Sequence, residues 1–343
     1  NFRSLAAGRY DGLELSTQLV IIEAELRGHR VEVLDSHDNF IRITGNGKIE
    51  YLKQATRTSA DSYIAPLIME NKHLTKRILA ENGIRVPTGE IFVNEEEAAS
   101  RYRHWSGASC VIKPNSTNFG TAVSMLAARS TFAQYTEALR AAFAADSSVI
   151  AEELIEGEEY RFLVIGGKTR AVLHRIPANV RGDGQHTIAE LVTEKNESPL
   201  RGKKYVTPLE KIHLDEEEIA YLASQGLSSS SVPDQGRIVY LRKNSNISTG
   251  GDSIDFTDKM HISYKEIAAA AAASVGAAVC GVDMIVRDLS TAAADDSYAV
   301  IELNFNPALH IHDFPHEGNN REVEKHLLHH HPQVVGERQG VAP

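Results

Sequence analysis

Residues 281–286, GVDMIV, and 300–307, VIELNFNP, are two apolar runs that each deliver hard oxygen ligands near one end. In a strand, side chains two apart share a face, so Glu302 and Asn304 point one way while Leu303 packs behind them. Asp283 on a neighbouring strand would complete a set of three oxygens. Such a small set suits magnesium, which keeps water and phosphate oxygens in its remaining positions. Each of the three residues alone also reads as a strand-end polar group with no ion. Together, inside apolar strands, they would bury uncompensated charge unless a cation joined them.

Outward from this pair, the next candidate is Lys113 in CVIKPNSTNFG (110–120), at the end of an apolar strand before the loop Asn115–Gly120. Backbone N–H groups and hydroxyls in such a loop bind anions without a helix terminus, so the ammonium and the loop would meet on a phosphate. GxxxxGK[ST] occurs nowhere, so this is not a Walker loop. A solvated turn is the competing account, and Lys72 in MENKHLTK (69–76) reads equally as a surface lysine. In VIAEELIEGEEYRFLVIGG (149–167), Glu152 and Glu153 follow Val149 and Ile150 without a break. That arrangement is expected where a backbone and a carboxylate read an adenine edge, with Glu159 placed for a ribose; a solvated acidic face is the alternative. Arginines beside glycine-rich turns gather in 174–191, 200–202 and 240–255. Their forks bind carboxylate and phosphate oxygens in pairs, or form surface salt bridges. Arg175 and Arg242 stand out because both emerge from apolar strands. His310, His312 and His316 fall in an irregular stretch and His329 to His331 in the tail, so no transition-metal site is expected.

The whole chain bounds these readings. Its 343 residues, 42% apolar, suffice for a sizeable core in two or three subdomains. A formal charge of -10 with scattered basic residues argues against nucleic acid as a partner. No apolar run approaches the roughly twenty residues of a membrane span, and no leader pattern opens the chain; a soluble, cytoplasmic protein is expected. Cys110 and Cys280 sit in apolar runs as packed thiols, with no disulfide or zinc site implied. The start at Asn1 rather than Met suggests a removed upstream segment.

Periodicity predicts a helix feeding a strand over 14–35 and a helix over 66–83, stopped by Asn82, Gly83 and Pro87. An α+β unit follows: strands at 88–93, 109–114, 121–126 and 148–154, with helices opened by Asn94 and spanning 130–145. Gly166-Gly167 marks a hairpin between 161–165 and 169–176. The polar stretch 179–205 yields no element. QGLSSSSVPDQG (225–236) reads as a mobile surface loop tolerant of change. A helix over 263–276 and strands at 279–286 and 298–304 follow, and from about 327 the chain reads as a disordered tail.

In order, MENKHLTK, VIKPNSTNFG, EELIEGEEYRF, RIPANVRGDGQHTI, LRKNSNISTGGDSID, GVDMIV and IELNFNP resemble the ATP-grasp module of the bifunctional bacterial glutamate-cysteine ligase/glutathione synthetases. They are more distantly similar to cyanophycin synthetase. The resemblance covers about residues 14–325. It implies an α+β, ATP-grasp fold with a nucleotide held between two antiparallel sheets. The implied division is an N-terminal α/β segment at 1–68, a small lid subdomain at 69–154, a large subdomain at 155–326 and a tail at 327–343. It implies a ligase joining γ-glutamylcysteine and glycine through an acyl phosphate. ATP and two magnesium ions, with manganese as a substitute, would be its cofactors.

By the same resemblance Lys72, Lys113, Ser116 and Asn118 would contact ATP phosphates, and Glu152, Glu153, Leu154 and Ile155 the adenine, with Glu159 on the ribose. Asp283, Glu302 and Asn304 would bind the metal. Arg242 would stabilise the transferring phosphoryl group, and Arg161, Arg175, Arg201, Asn246 and Asn306 would contact substrate. A homodimer and an upstream glutamate-cysteine ligase domain are the expected partners. After STNFG the family carries another glycine where this chain has Thr121 and Ala122, which would stiffen the lid loop. Competing readings are another amide ligase of this fold with a different substrate pair, and a phosphotransferase that stops at the phosphorylated product.

Overall fold

The computed structural model describes residues 10–117 and 122–330. They form two compact units, each discontinuous in sequence. The first draws on residues 61–169 and 258–305, the second on 10–60, 170–257 and 306–330. The consecutive division expected at 68, 154 and 326 does not coincide with these units.

The first unit contains two antiparallel sheets. In one, Gly89–Phe92, Val149–Glu153, Cys110–Pro114 and Ser124–Leu126 lie side by side in that order. Its apolar face packs on helices Glu95–Ser100, Tyr102–Trp105 and Phe132–Ala145 through Phe92, Trp105, Ile112, Tyr135, Leu139 and Val149. Helix starts are chemically fixed. Asn94 Oδ1 accepts from the N–H groups of Glu96 and Glu97, and Thr131 with Gln134 forms a capping box ahead of Phe132–Ala145. The other sheet joins Glu158–Ile165, Val279–Val286 and Tyr298–Asn304. Its register matters most for the site. Asp283 lies opposite both Arg161 and Glu302, while Met284 pairs with Val300, so Ile301 is one residue too many. This bulge re-aims the strand and brings Glu302 to face Asp283.

The helix expected over 66–83 is two helices, Ile64–Glu70 and Lys72–Glu81. Asn71 breaks it: its backbone is extended, with φ −98° and ψ 99°, and its side chain accepts from Leu74 N, so it caps a new helix rather than continuing the old one. At Gly166 and Gly167 φ is 61° and 71°, the double positive-φ turn expected between two strands.

In the second unit, helix Leu15–Leu26 and the antiparallel strands Arg30–Asp35, Phe40–Gly45 and Lys48–Lys53 come first. The last two went unread in the sequence, although Asn46-Gly47, with φ of 50° and 76°, is a strong hairpin signal. A second core of Ala178, Val180, Ile188, Leu191, Leu222 and Val239 joins helices Ile188–Asn196 and Glu216–Ser224 to the strand pair Asn179–Arg181 and Ile238–Tyr240. The stretch 179–205 is therefore not featureless: Thr187 and Glu190 form a capping box for a helix within it.

The serine-rich segment is also corrected. The carbonyls of Ser231 and Ser229 accept from Ile188 N and Ala189 N, so the segment satisfies the first free N–H groups of that helix. The chain stays helical over Val323–His330, past the point where a tail was expected, because Leu327 and Leu328 are buried. Residues beyond it lie outside the described part. Cys110 and Cys280 are buried free thiols, and burial pushes Cys280 up to about 12.

Candidate active site

Lys72 and Lys113 come together in the first unit through two asparagines. Asn115, just past the Cys110–Pro114 strand, is buried; its Oδ1 accepts from His73 N at 3.0 Å and its Nδ2 donates to Asn71 Oδ1 at 3.2 Å. Its carbonyl accepts from Lys72 N at 3.3 Å. The loop after Lys113 is thereby fastened to the start of helix Lys72–Glu81. Lys72 Nζ reaches the Thr117 carbonyl and stands 3.2 Å from Glu302 Oε1. Ser116 is exposed and its N–H donates to Asp146 Oδ2 at 2.6 Å, while Asn118 lies outside the described residues.

Lys113 does not wait with an open ammonium. Its Nζ is 2.5 Å from Glu152 Oε1, and the other oxygen of that carboxylate accepts from Lys76. Burial alone would lower Lys113, but Glu152 outweighs it and holds the lysine above its ordinary value. Burial likewise would raise Glu152, and the two lysines hold it below the usual carboxylate range. Lys76 is the loser of the three: burial first, then the charge of Lys113, brings it down to about 7. Both oxygens of the Glu152 carboxylate, expected at an adenine edge, are engaged by lysines in this structure. The N–H groups of Glu153 and Leu154 are committed to the carbonyls of Thr88 and Ser109. The Glu153 carboxylate pairs with Arg85 at 2.7 Å. Glu159 stands opposite Ile285 in the second sheet of this unit.

The oxygen triad is assembled differently from the simple expectation. Arg161 donates through Nε to Asp283 Oδ1 and through Nη2 to Oδ2, the latter at 2.8 Å. Burial would weaken that guanidinium, but Asp283 more than compensates and keeps it above its ordinary value. Arg161 is thus no open substrate contact, Asp283 is no open ligand, and the three oxygens do not bury uncompensated charge. What fits a divalent cation is the exposed edge of the set. Asn304 spends its Nδ2 on Asp283 Oδ2 at 3.3 Å, which leaves its amide oxygen as the acceptor beside the half-buried Glu302. Among the described residues no cluster of three or more His, Cys, Asp or Glu is arranged to hold a metal.

The first unit also holds a cleft of about 610 Å³ lined by Lys76, His73, Arg77, Arg85, Thr88 and Glu152, among others.

The remaining sequence candidates belong to the second unit. The Arg201 side chain is 1% exposed and donates to the carbonyls of Glu210 and Gly250 as well as to Asp252, which Lys195 also meets at 2.7 Å. It ties the fold together and is not an open carboxylate contact. Arg242 is likewise engaged, at 2.9 Å to Glu217 and also to Glu218, and so is not an open phosphoryl contact here. Arg175 is buried in the strand Lys168–Ile176, opposite Ser253. The carbonyl of Asn246 receives the N–H groups of Thr249 and Gly251, and a Cβ on Gly251 would come within 2.8 Å of two carbonyl oxygens. Asn306 accepts from Thr56 at 2.8 Å and donates to Gln54 at 3.3 Å. Lys76 is the residue that reading the sequence missed; its signal is the spacing of four from Lys72, one helical face.

Two family models match this chain: an ATP-grasp-like domain over residues 11–64 and a RimK-like ATP-grasp domain over residues 69–195. With paired antiparallel sheets, one carrying Lys113 and the other the hard oxygens, the chain is an ATP-grasp protein. Over nearly its whole length it is homologous to part of the bifunctional glutathione biosynthesis proteins GshAB. It is 53% identical over 319 residues to that of Clostridium perfringens, covering 93% of this chain and 41% of the relative. Identity is 47% over 316 residues to that of Desulfotalea psychrophila, covering 92% and 41%. The crystal structure of a bifunctional glutathione synthetase from Pasteurella multocida matches with a TM-score of 0.75 at 44% identity, over 95% of this chain and 45% of that one. The chain therefore spans less than half the length of these relatives. Among the described residues no helix is long and apolar enough to cross a membrane.

Proposed function

We propose that this chain is an ATP-dependent ligase that condenses γ-glutamylcysteine with glycine to glutathione through an acyl phosphate, releasing ADP and phosphate. The observation that carries this reading is the 53% identity over 93% of the chain to a glutathione biosynthesis protein. The lysine and oxygen groups of the first unit supply chemistry that agrees with it.

Lys72 and Lys113 would hold phosphate oxygens, with Ser116, Asn118 and the loop around them completing the cradle. Glu153, Leu154 and Ile155 would meet the adenine through the polar groups left to them, and Glu159 the ribose. Glu302 and the Asn304 oxygen would hold the divalent cation, magnesium as two ions, while Asp283 anchors Asn304. When bound, that cation neutralises charge on the transferring phosphoryl group. The chain's own part is positioning and charge compensation, which is why no protein nucleophile is needed. Arg175, Asn246 and Asn306 of the second unit would contact the peptide substrate. A homodimer and a companion domain that makes γ-glutamylcysteine complete the proposal.

ADP release with magnesium and ATP, with γ-glutamylcysteine and glycine together and each omitted, tests it. Turnover that requires both, with glutathione identified by mass spectrometry, is expected. ADP formed without any amine would mark a phosphotransferase, and turnover only with another acid and amine would move the substrate assignment.

A further inference from the structure

Lys76 lies one helical turn after Lys72 and holds one oxygen of Glu152 while Lys113 holds the other. Two ammonium groups on one carboxylate leave a surplus positive charge in a nearly closed place, with the Lys76, Lys113 and Glu152 side chains 9%, 10% and 4% exposed. Lys76 and Glu152 also line the cleft described above. If Lys113 is to spend its charge on a phosphate, as the proposed function requires, Glu152 must keep a cation, because a buried carboxylate stripped of its partner is strongly destabilising.

Resting on that reading, we infer that Lys76 is a positioning residue: it takes over Glu152 when Lys113 turns its charge to the nucleotide. The arrangement has a consequence for protons. Burial and the neighbouring Lys113 bring Lys76 down to about 7, so above that pH Glu152 rests mainly on Lys113. As Lys113 shares itself with a phosphate, the proton affinity of Lys76 rises, and nucleotide binding draws in a proton. Affinity then falls as pH climbs past 7.

The charged neighbours of Lys76 are few. Its own helix presents Lys72, His73 and Arg77; the strands present Lys113 and Glu152. Around the same spaces stand Arg85, Asp295, Tyr298 and Glu302. Among these His73 is also titratable, held below its ordinary value by burial, Lys76 and Arg77. Its contribution is separated by substitution at Lys76.

The experiment is calorimetric titration of the whole chain with ATP and excess magnesium at pH 7.5, in two buffers of different ionisation enthalpy, for wild type, Lys76→Arg and Lys76→Met. Wild type should take up on the order of half a proton per nucleotide bound. Lys76→Arg, always charged, should bind with no uptake attributable to this position and with affinity level from pH 6.5 to 8.5. Lys76→Met should bind about tenfold more weakly, also without uptake. Lys76→Arg keeps the test decisive should the methionine variant not fold. Proton uptake unchanged in Lys76→Arg overturns the inference while leaving the ligase reading intact. Wild type that binds no ATP overturns both.

Discussion

Both carboxylate oxygens of Asp283 accept from Arg161, the residue directly opposite it on the neighbouring strand. The pair is nearly sealed from solvent, with the two side chains 10% and 2% exposed. A buried ion pair adds little over an apolar pair of the same shape, but breaking it from one side leaves a stranded charge. Arg161→Met should therefore lower unfolding free energy by about 3–5 kcal/mol, and Arg161→Met with Asp283→Leu should restore most of the loss. Urea unfolding of the three proteins reads this directly. A single variant as stable as wild type would show that Asp283 has another cation.

Glu302, on the same sheet, is half-buried rather than sealed. It is brought opposite Asp283 by the bulge at Ile301 and balanced by Lys72 at 3.2 Å. Because the carboxylate is half-buried rather than sealed in the core, Glu302→Ala should leave the circular dichroism spectrum and unfolding midpoint close to wild type. ADP release should fall by about a hundredfold or more. Normal turnover in the variant would remove Glu302 from the proposed cation site.

Two groups on the short helix His310–Asp313 give stability opposite dependences on pH. Burial brings His310, bonded to Ser16 at 2.8 Å, down to about 4. A folded value below the unfolded one contributes stability present above about 6.5 and lost as pH falls toward 4, roughly 3 kcal/mol at most. Asp313 is raised to about 9 by burial and by the Glu324 carboxyl beside it. Its contribution is present below its ordinary range and lost as pH rises through 9. Between pH 6.5 and 9 only Asp313 of these two titrates. Asp313→Asn keeps an acceptor for Val323 N, which Asp313 Oδ1 now serves at 2.8 Å. The stability difference between this variant and wild type should therefore grow in the variant's favour across that window. Parallel pH profiles in chemical denaturation would contradict it.

How much of this was legible depends on the range of the interaction. Strands with strong alternation and helices with side-chain caps, such as Asn94 and Thr131, are written in neighbouring residues and were read close to their ends. The apolar strands carrying Asp283, Glu302 and Asn304 were likewise legible as a pair. The partners of those residues were not. That Arg161 takes Asp283, or that Lys76 and Lys113 divide Glu152, depends on strand register and on a helix 76 residues away in sequence from its carboxylate. The bulge at Ile301 has no signature in VIELN. Other misses were local and avoidable: Asn46-Gly47 and the Thr187–Glu190 box are short-range signals, overlooked because the stretches around them are polar. The arginines Arg201 and Arg242 looked like ligand forks because their acidic partners, Asp252, Glu217 and Glu218, are distant in the chain.

The two asparagines that gather the lysines offer a sharper test of how the site is held. Asn71 starts helix Lys72–Glu81 by accepting from Leu74 N at 2.9 Å, and Asn115 adds an acceptor for His73 N while bonding to Asn71 itself. Each satisfies an N–H group that the first helical turn would otherwise leave without a partner. Asn71→Ala and Asn115→Ala should each cost about 1 kcal/mol, and the double variant should cost less than the sum by about 0.5 kcal/mol, because both singles lose the shared bond. Asn115→Ala should in addition raise KM for ATP several-fold with little change in kcat, since it unfastens the loop after Lys113 from the helix that carries Lys72 without touching either ammonium. Strict additivity in urea unfolding would mean the two amides act apart. An unchanged KM would mean that Lys72 and Lys113 are placed by their own ion pairs with Glu302 and Glu152 rather than by the loop.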